Sequence, residues 1–252
     1  MGRHHQNTFG IVFALETEMR GLRRVLSHSR RLRTQYPSQI AWQIGELRVL
    51  AEVGGMGRKL CSEATHRLID QGASWLACAG FAAALDGKAA VSDVVMADNV
   101  KLPDMNRPSI ECSTGLMAST PPSGKLGFTI WRSDMVTCDR IILNASEKVS
   151  IYRNTGAAAL DMEAYAAAEV CSVRRVPFMV VKGISDIADR DLPQEVELLA
   201  THQQWTQRLA LIAGRPALWP QLWRLRRNSL KASDNLGEVL GTMLLRMRNR
   251  NG

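Results

Sequence analysis

The chain has no uninterrupted apolar run of about 18 residues, the length a membrane-spanning helix needs, so hydropathy excludes one. Its first residues, MGRHHQNTFG, hold neither the apolar core of a secretory signal nor the sixth-position Ser or Thr of a myristoylation site. The five cysteines (61, 78, 112, 138 and 171) contain no CxxC pair. An odd set in mostly apolar contexts excludes a disulfide or zinc framework and points to a reduced, cytoplasmic protein. No internal repeat is visible, and no linker breaks the chain before about residue 195. With 46% hydrophobic and 22% charged residues, extended disorder is excluded as well, and 252 residues can bury a core without staples.

Charge is present but unevenly spread. From residue 201 onward, nine basic residues face only Asp234 and Glu238, which puts +7 of the net +8 in the tail. The first 200 residues carry +1. A nucleic-acid binder of uniformly basic surface is not built this way, and no nucleic-acid partner is expected.

Apolar runs alternate with helical patterns. Strands are predicted at 9–15, 39–44, 47–53, 75–79, 91–98, 128–133 and 177–185, the second and third forming a hairpin at Gly45. Helices are predicted after Glu16, over 58–71, 144–153 and 161–174, with a long loop region at 99–126. Alternation of this kind implies an α/β layer fold, helices covering both faces of a parallel or mixed sheet. Ligands in such sheets bind beyond the carboxyl ends of strands. Glu16 and Glu18, Gly54–Gly57 and Asp186 all fall there. Each has a bland reading too: Asp186 caps a following helix beside Asp189 and Asp191, Glu18 and Glu163 suit helix dipoles, and the glycines make a tight turn.

In combination these segments carry more. Ala14-Leu-Glu-Thr-Glu18, Gly54-Gly-Met-Gly57, Leu160-Asp-Met-Glu-Ala164 and the run Val176–Asp189 with its Ile184-Ser-Asp186 resemble the purine nucleoside phosphorylase/nucleosidase superfamily. The methylthioadenosine/S-adenosylhomocysteine nucleosidases are the nearest well-known branch. The resemblance spans 9–195 and implies a three-layer αβα domain with a central mixed sheet, followed by a basic helical extension at 196–252. It implies that Asp186 protonates a ring nitrogen of the departing adenine, and that Glu18 orients or deprotonates an attacking water. Glu163 would accept the ribose hydroxyls while Met162 packs on the sugar. Ser185, Gly55, Gly80 and Phe81 would complete the substrate site. No metal or cofactor is implied, phosphate stays open as a co-substrate because arginines crowd 20–24, and homo-oligomers are usual.

Some positions depart from that pattern. Phe81 follows Gly80 where a small hydroxyl residue is usual, Lys182 replaces an arginine, Gly183 an alanine, and 133–139 is divergent. A lesion at Phe81 would leave a non-catalytic nucleoside-binding protein. A narrower similarity, in Cys138–Lys148, Thr155–Glu163, Asp189–Pro193 and Gly214–Arg227, is to the hopanoid-associated phosphorylases. It implies adenosylhopane as substrate and takes in a tail that ordinary nucleosidases lack. In that tail Leu236, Val239, Leu240, Met243, Leu244 and Met247 form one helical stripe, preceded by Trp219, Leu222 and Trp223 among arginines. Two readings follow for 215–252: a helix packed on the body or another subunit, or peripheral contact with the inner face of an anionic membrane.

Overall fold

The computed structural model describes residues 7–104, 106–118, 120, 126–188 and 219–250. Residues 189–218, with Asp189, Asp191 and the start of the Gly214–Arg227 motif, lie outside the described residues. In chain order the elements begin β1 (Thr8–Phe13), α1 (Glu16–Val25), β2 (Arg30–Leu32), β3 (Gln39–Ile44), β4 (Leu47–Val53), α2 (Arg58–Asp70) and β5 (Ala73–Ala84). Then follow β6 (Val94–Lys101), β7 (Ile110–Glu111), α3 (Thr114–Met117), β8 (Ile130–Thr137), α4 (Ala145–Thr155), β9 (Ala159–Asp161), α5 (Ala164–Arg174), β10 (Phe178–Asp186) and α6 (Trp219–Arg250).

One mixed sheet organises these elements. β1 lies between β4 and β5 and runs parallel to both, and β10 runs parallel to β5. On its other edge β10 pairs with β6, which leads through β8 and β9 back to β5, so five strands close on themselves. Every residue of β1 is buried, as a strand covered on both faces must be. The flanking helices associate in pairs, α1 with α6 and α2 with α5.

Two departures from the predicted elements matter for the site. The strand expected to stop at Gly80 continues to Ala84. Gly80 has φ +149°, a conformation only glycine adopts freely, and it carries β5 from pairing with β1 to pairing with β9. The helix expected from 161 begins at Ala164, after the three-residue strand β9. The loop region 99–126 also contains the short elements β7 and α3.

The tail stripe has a definite partner. Leu236, Val239, Leu240, Met243, Leu244 and Met247 are buried in the main core. Burying such a side chain contributes about 1.5–3 kcal/mol, so α6 belongs to the structural body. Ser233, Gly237 and Gly241 let it approach α1: a Cβ at Gly237 would lie 2.2 Å from the Gly21 carbonyl carbon, and one at Gly21 would lie 1.8 Å from Ser233 O. Ser233 Oγ accepts the Gly21 N–H at 2.9 Å and donates to Glu18 O at 3.2 Å, while Asp234 pairs with Arg20 and Arg24. The apolar stripe is therefore unavailable to a bilayer. The exposed residues of α6 include Trp223 with Arg224, Arg226 and Arg227. Among the described residues no helix is long and apolar enough to cross a membrane.

Candidate active site

Because β1, β4, β5 and β10 are parallel, their carboxyl ends share one edge, and a cavity of about 360 Å³ lies there. Glu18, Phe81, Met162, Glu163, Ser185 and Asp186 line it, with Met56, Ile141, Ile142 and Leu160. Asp161 adds a further carboxyl, and α6 contributes Leu225 and Ser229. Gly55 and Gly80 are not on this wall. Gly55 (φ +106°) shapes the turn after β4, where an added Cβ would meet Leu60 at 2.7 Å. At Gly80 a Cβ would stand 2.7 Å from Glu18 Oε1, so its bare backbone makes room for that carboxylate.

Glu18 serves the helix start and the cavity together. Its Oε2 accepts the main-chain N–H groups of Ala14 at 2.8 Å and Leu15 at 2.9 Å, closing the first turn of α1. Oε1 reaches across to accept Phe81 N–H at 2.8 Å. That N–H falls where β1 has ended and β9 has not begun as partners of β5. Phe81, suspected as a lesion, thus supplies through its backbone what fixes Glu18. Burial pushes the Glu18 carboxyl above its usual range, although Lys182 and these three N–H groups pull the other way.

Glu163 and Asp161 divide two tasks. Asp161 Oδ2 accepts Ala164 N–H at 2.9 Å and its Oδ1 accepts the Thr137 hydroxyl at 2.7 Å, so Asp161 caps α5. Glu163 occupies the N-cap position but makes no side-chain cap bond. Its Oε1 instead accepts Gly57 N–H at 2.9 Å, which ties the glycine turn after β4 to the start of α5. Burial raises Glu163 to about 7, against the pull of Lys182, with Asp161 and Glu18 adding to the rise.

Two lysines that the sequence did not single out as functional complete the electrostatics. Lys182, fully buried in β10, pairs with Asp161 at 2.8 Å and Glu163 at 3.6 Å. Burial opposes its charge, yet Asp161 foremost, with Glu163 and Glu18 also contributing, holds it well above the ordinary ammonium value. Lys148 of α4, also fully buried, places Nζ 2.5 Å from Asp186 Oδ2. The arginines of 20–24 lie elsewhere: Arg20 and Arg24 pair with Asp234, Arg23 with Glu16, and none lines the cavity.

Residues 8–215 match the family described as Phosphorylase superfamily. The chain belongs to the phosphorylase superfamily. Over 213 residues this superfamily member is 29% identical to the 5′-methylthioadenosine/S-adenosylhomocysteine nucleosidase of Tolumonas auensis, covering 75% of this chain and 90% of the relative. Its fold is similar to the 5′-methylthioadenosine/S-adenosylhomocysteine nucleosidase of Neisseria meningitidis solved with methylthio-immucillin-A, at TM-score 0.74, 17% identity, and 95% and 99% coverage of the two chains. It is also similar to native futalosine hydrolase of Helicobacter pylori, at TM-score 0.72, 15% identity, and 95% and 98% coverage. Coverage of 95% carries the likeness past residue 195 and into α6, so the tail does not set this member apart from the nucleosidases in fold.

Proposed function

We propose that the chain hydrolyses the N-glycosidic bond of a 5′-substituted adenosine and releases adenine. The observation that carries this reading is the convergence of Glu18, Glu163 and Asp186 on one cavity at the ends of parallel strands. Asp186 gives its proton to a ring nitrogen of the base as the glycosidic bond breaks, and the bonding pair leaves with neutral adenine. Water adds its oxygen to the anomeric carbon and yields a proton to Glu18. Glu163 accepts the ribose hydroxyls. The cationic character that develops on the sugar is stabilised by the surrounding carboxylates, the electrostatic logic of glycosidases.

Water is favoured over phosphate by the wall itself: Glu18, Asp161, Glu163 and Asp186 would repel a phosphate dianion, and among the described lining residues no arginine faces it. The 5′-substituent is apolar, since Met56, Ile141, Ile142, Leu160 and Leu225 surround the carboxyl groups. Adenosylhopane is the substrate we favour, on these side chains and on the tail's similarity to the hopanoid-associated phosphorylases. The named relatives favour methylthioadenosine and S-adenosylhomocysteine as the second reading. Incubation with each nucleoside, with and without phosphate, followed by quantification of adenine, tests the proposal. Adenine from adenosylhopane independent of phosphate is expected, and no adenine from any of the three overturns it.

A further inference from the structure

Asp186 has a partner whose position its own surroundings do not require. Lys148 lies in the first turn of α4, where a cation gains nothing from the helix dipole. Its side chain is fully buried; Nζ sits 2.5 Å from Asp186 Oδ2 and donates to Ile187 O at 3.1 Å. A buried ion pair costs its full desolvation and is a poor source of stability compared with apolar packing. This one joins α4 to the end of β10 at the wall of the cavity, beside the residue that must lose a proton.

We propose that Lys148 is a positioning residue for Asp186, holding one carboxyl oxygen and stabilising by its charge the carboxylate left after proton transfer to the base. The inference rests on the nucleosidase reading above. The proton passes from the Asp186 carboxyl to the ring nitrogen, adenine departs neutral, and the Asp186 carboxylate remains paired with the Lys148 ammonium. Among the described residues, the other charged groups on the cavity wall are Glu18 from α1 and Asp161 and Glu163 from β9 and the start of α5, with Lys182 of β10 behind the latter two. α6 presents the neutral Leu225 and Ser229. Lys148 is a cation in direct contact with Asp186. Its removal makes Asp186 a weaker acid that keeps its proton to higher pH.

The test is adenine release across pH 5–9 by the full chain and by Lys148→Gln and Lys148→Arg, with methylthioadenosine, S-adenosylhomocysteine and adenosylhopane each supplied. Gln keeps a hydrogen-bond donor without the charge, and Arg keeps the charge. For Lys148→Gln the alkaline limb is expected to move up by about one pH unit or more. Its low-pH plateau kcat should fall about tenfold with KM little changed. Lys148→Arg should keep the wild-type limb. A Lys148→Gln limb that stays in place or moves down overturns the proposal and leaves the nucleosidase reading intact. Should Lys148→Gln not fold, Lys148→Arg decides: a limb moved up overturns the proposal and an unmoved one supports it. Wild-type protein that releases no adenine from any of the three overturns both.

Discussion

Phe81 donates its main-chain N–H to Glu18 Oε1 at 2.8 Å, in the gap between two strand partners of β5. Gly80, next to it, stands where a side chain would drive that carboxylate away, at a φ of +149° that L side chains rarely adopt. Gly80→Ala is expected to leave a folded protein whose adenine release falls by about tenfold or more, because a displacement of about 1 Å at a reacting group is enough. Circular dichroism together with an adenine assay checks both halves of that outcome.

Glu163 gives stability a pH dependence. Burial raises its carboxyl from an ordinary 4.5 to about 7, so between these values the folded chain holds a proton that the unfolded chain has released. Stability contributed by this proton is full below the unfolded value and is lost as pH rises towards the folded one. The thermal midpoint of the wild type should therefore fall between pH 5 and pH 7. Glu163→Gln, which keeps its side chain neutral throughout, should show a flatter profile in the same melts.

The contact between α1 and α6 leaves no room for a methyl group. A Cβ at Gly237 would lie 2.2 Å from backbone carbon of Gly21, so Gly237→Ala must push the two helices apart. Overpacking of this kind costs about 1–3 kcal/mol, and each kcal/mol lowers the midpoint by about 2–4 °C in a chain of this size. Differential scanning calorimetry should show a decrease of roughly 2–12 °C. Adenine release should fall as well, since Ser233 holds the turn that carries Glu18.

We propose that affinity for anionic vesicles resides in the exposed part of α6, with Trp223 63% exposed and Arg227 stacked over its ring at 5.6 Å. Trp223→Ala with Arg224→Glu is expected to reduce co-sedimentation with such vesicles and leave the thermal midpoint unchanged. Deleting 219–250 should lower both, because the stripe beyond these residues is core.

Much of this was legible in the sequence because it rests on local patterns. The apolar run of β10 ending at Asp186, the turn at Gly54–Gly57 and the acidic start of α1 each follow from residues a few positions apart. β9 was not legible, since three residues next to an alanine-rich helix have no period of their own. Lys148 and Lys182 were hidden for another reason: their partners lie on other elements, and Lys182 simply interrupts an apolar strand. The stripe on α6 was plain, whereas its covering by α1 was not. Ser233, Gly237 and Gly241, four residues apart, were the signal that a helix packs closely along that face.

Asp186→Asn tests the central claim most directly, measured as adenine released together with nucleoside bound. Wild-type protein should release adenine, and Asp186→Asn should lose about 100-fold or more of that rate while still binding the nucleoside, as expected when a general acid is removed. Equal release by both proteins, or none by either, would contradict the account.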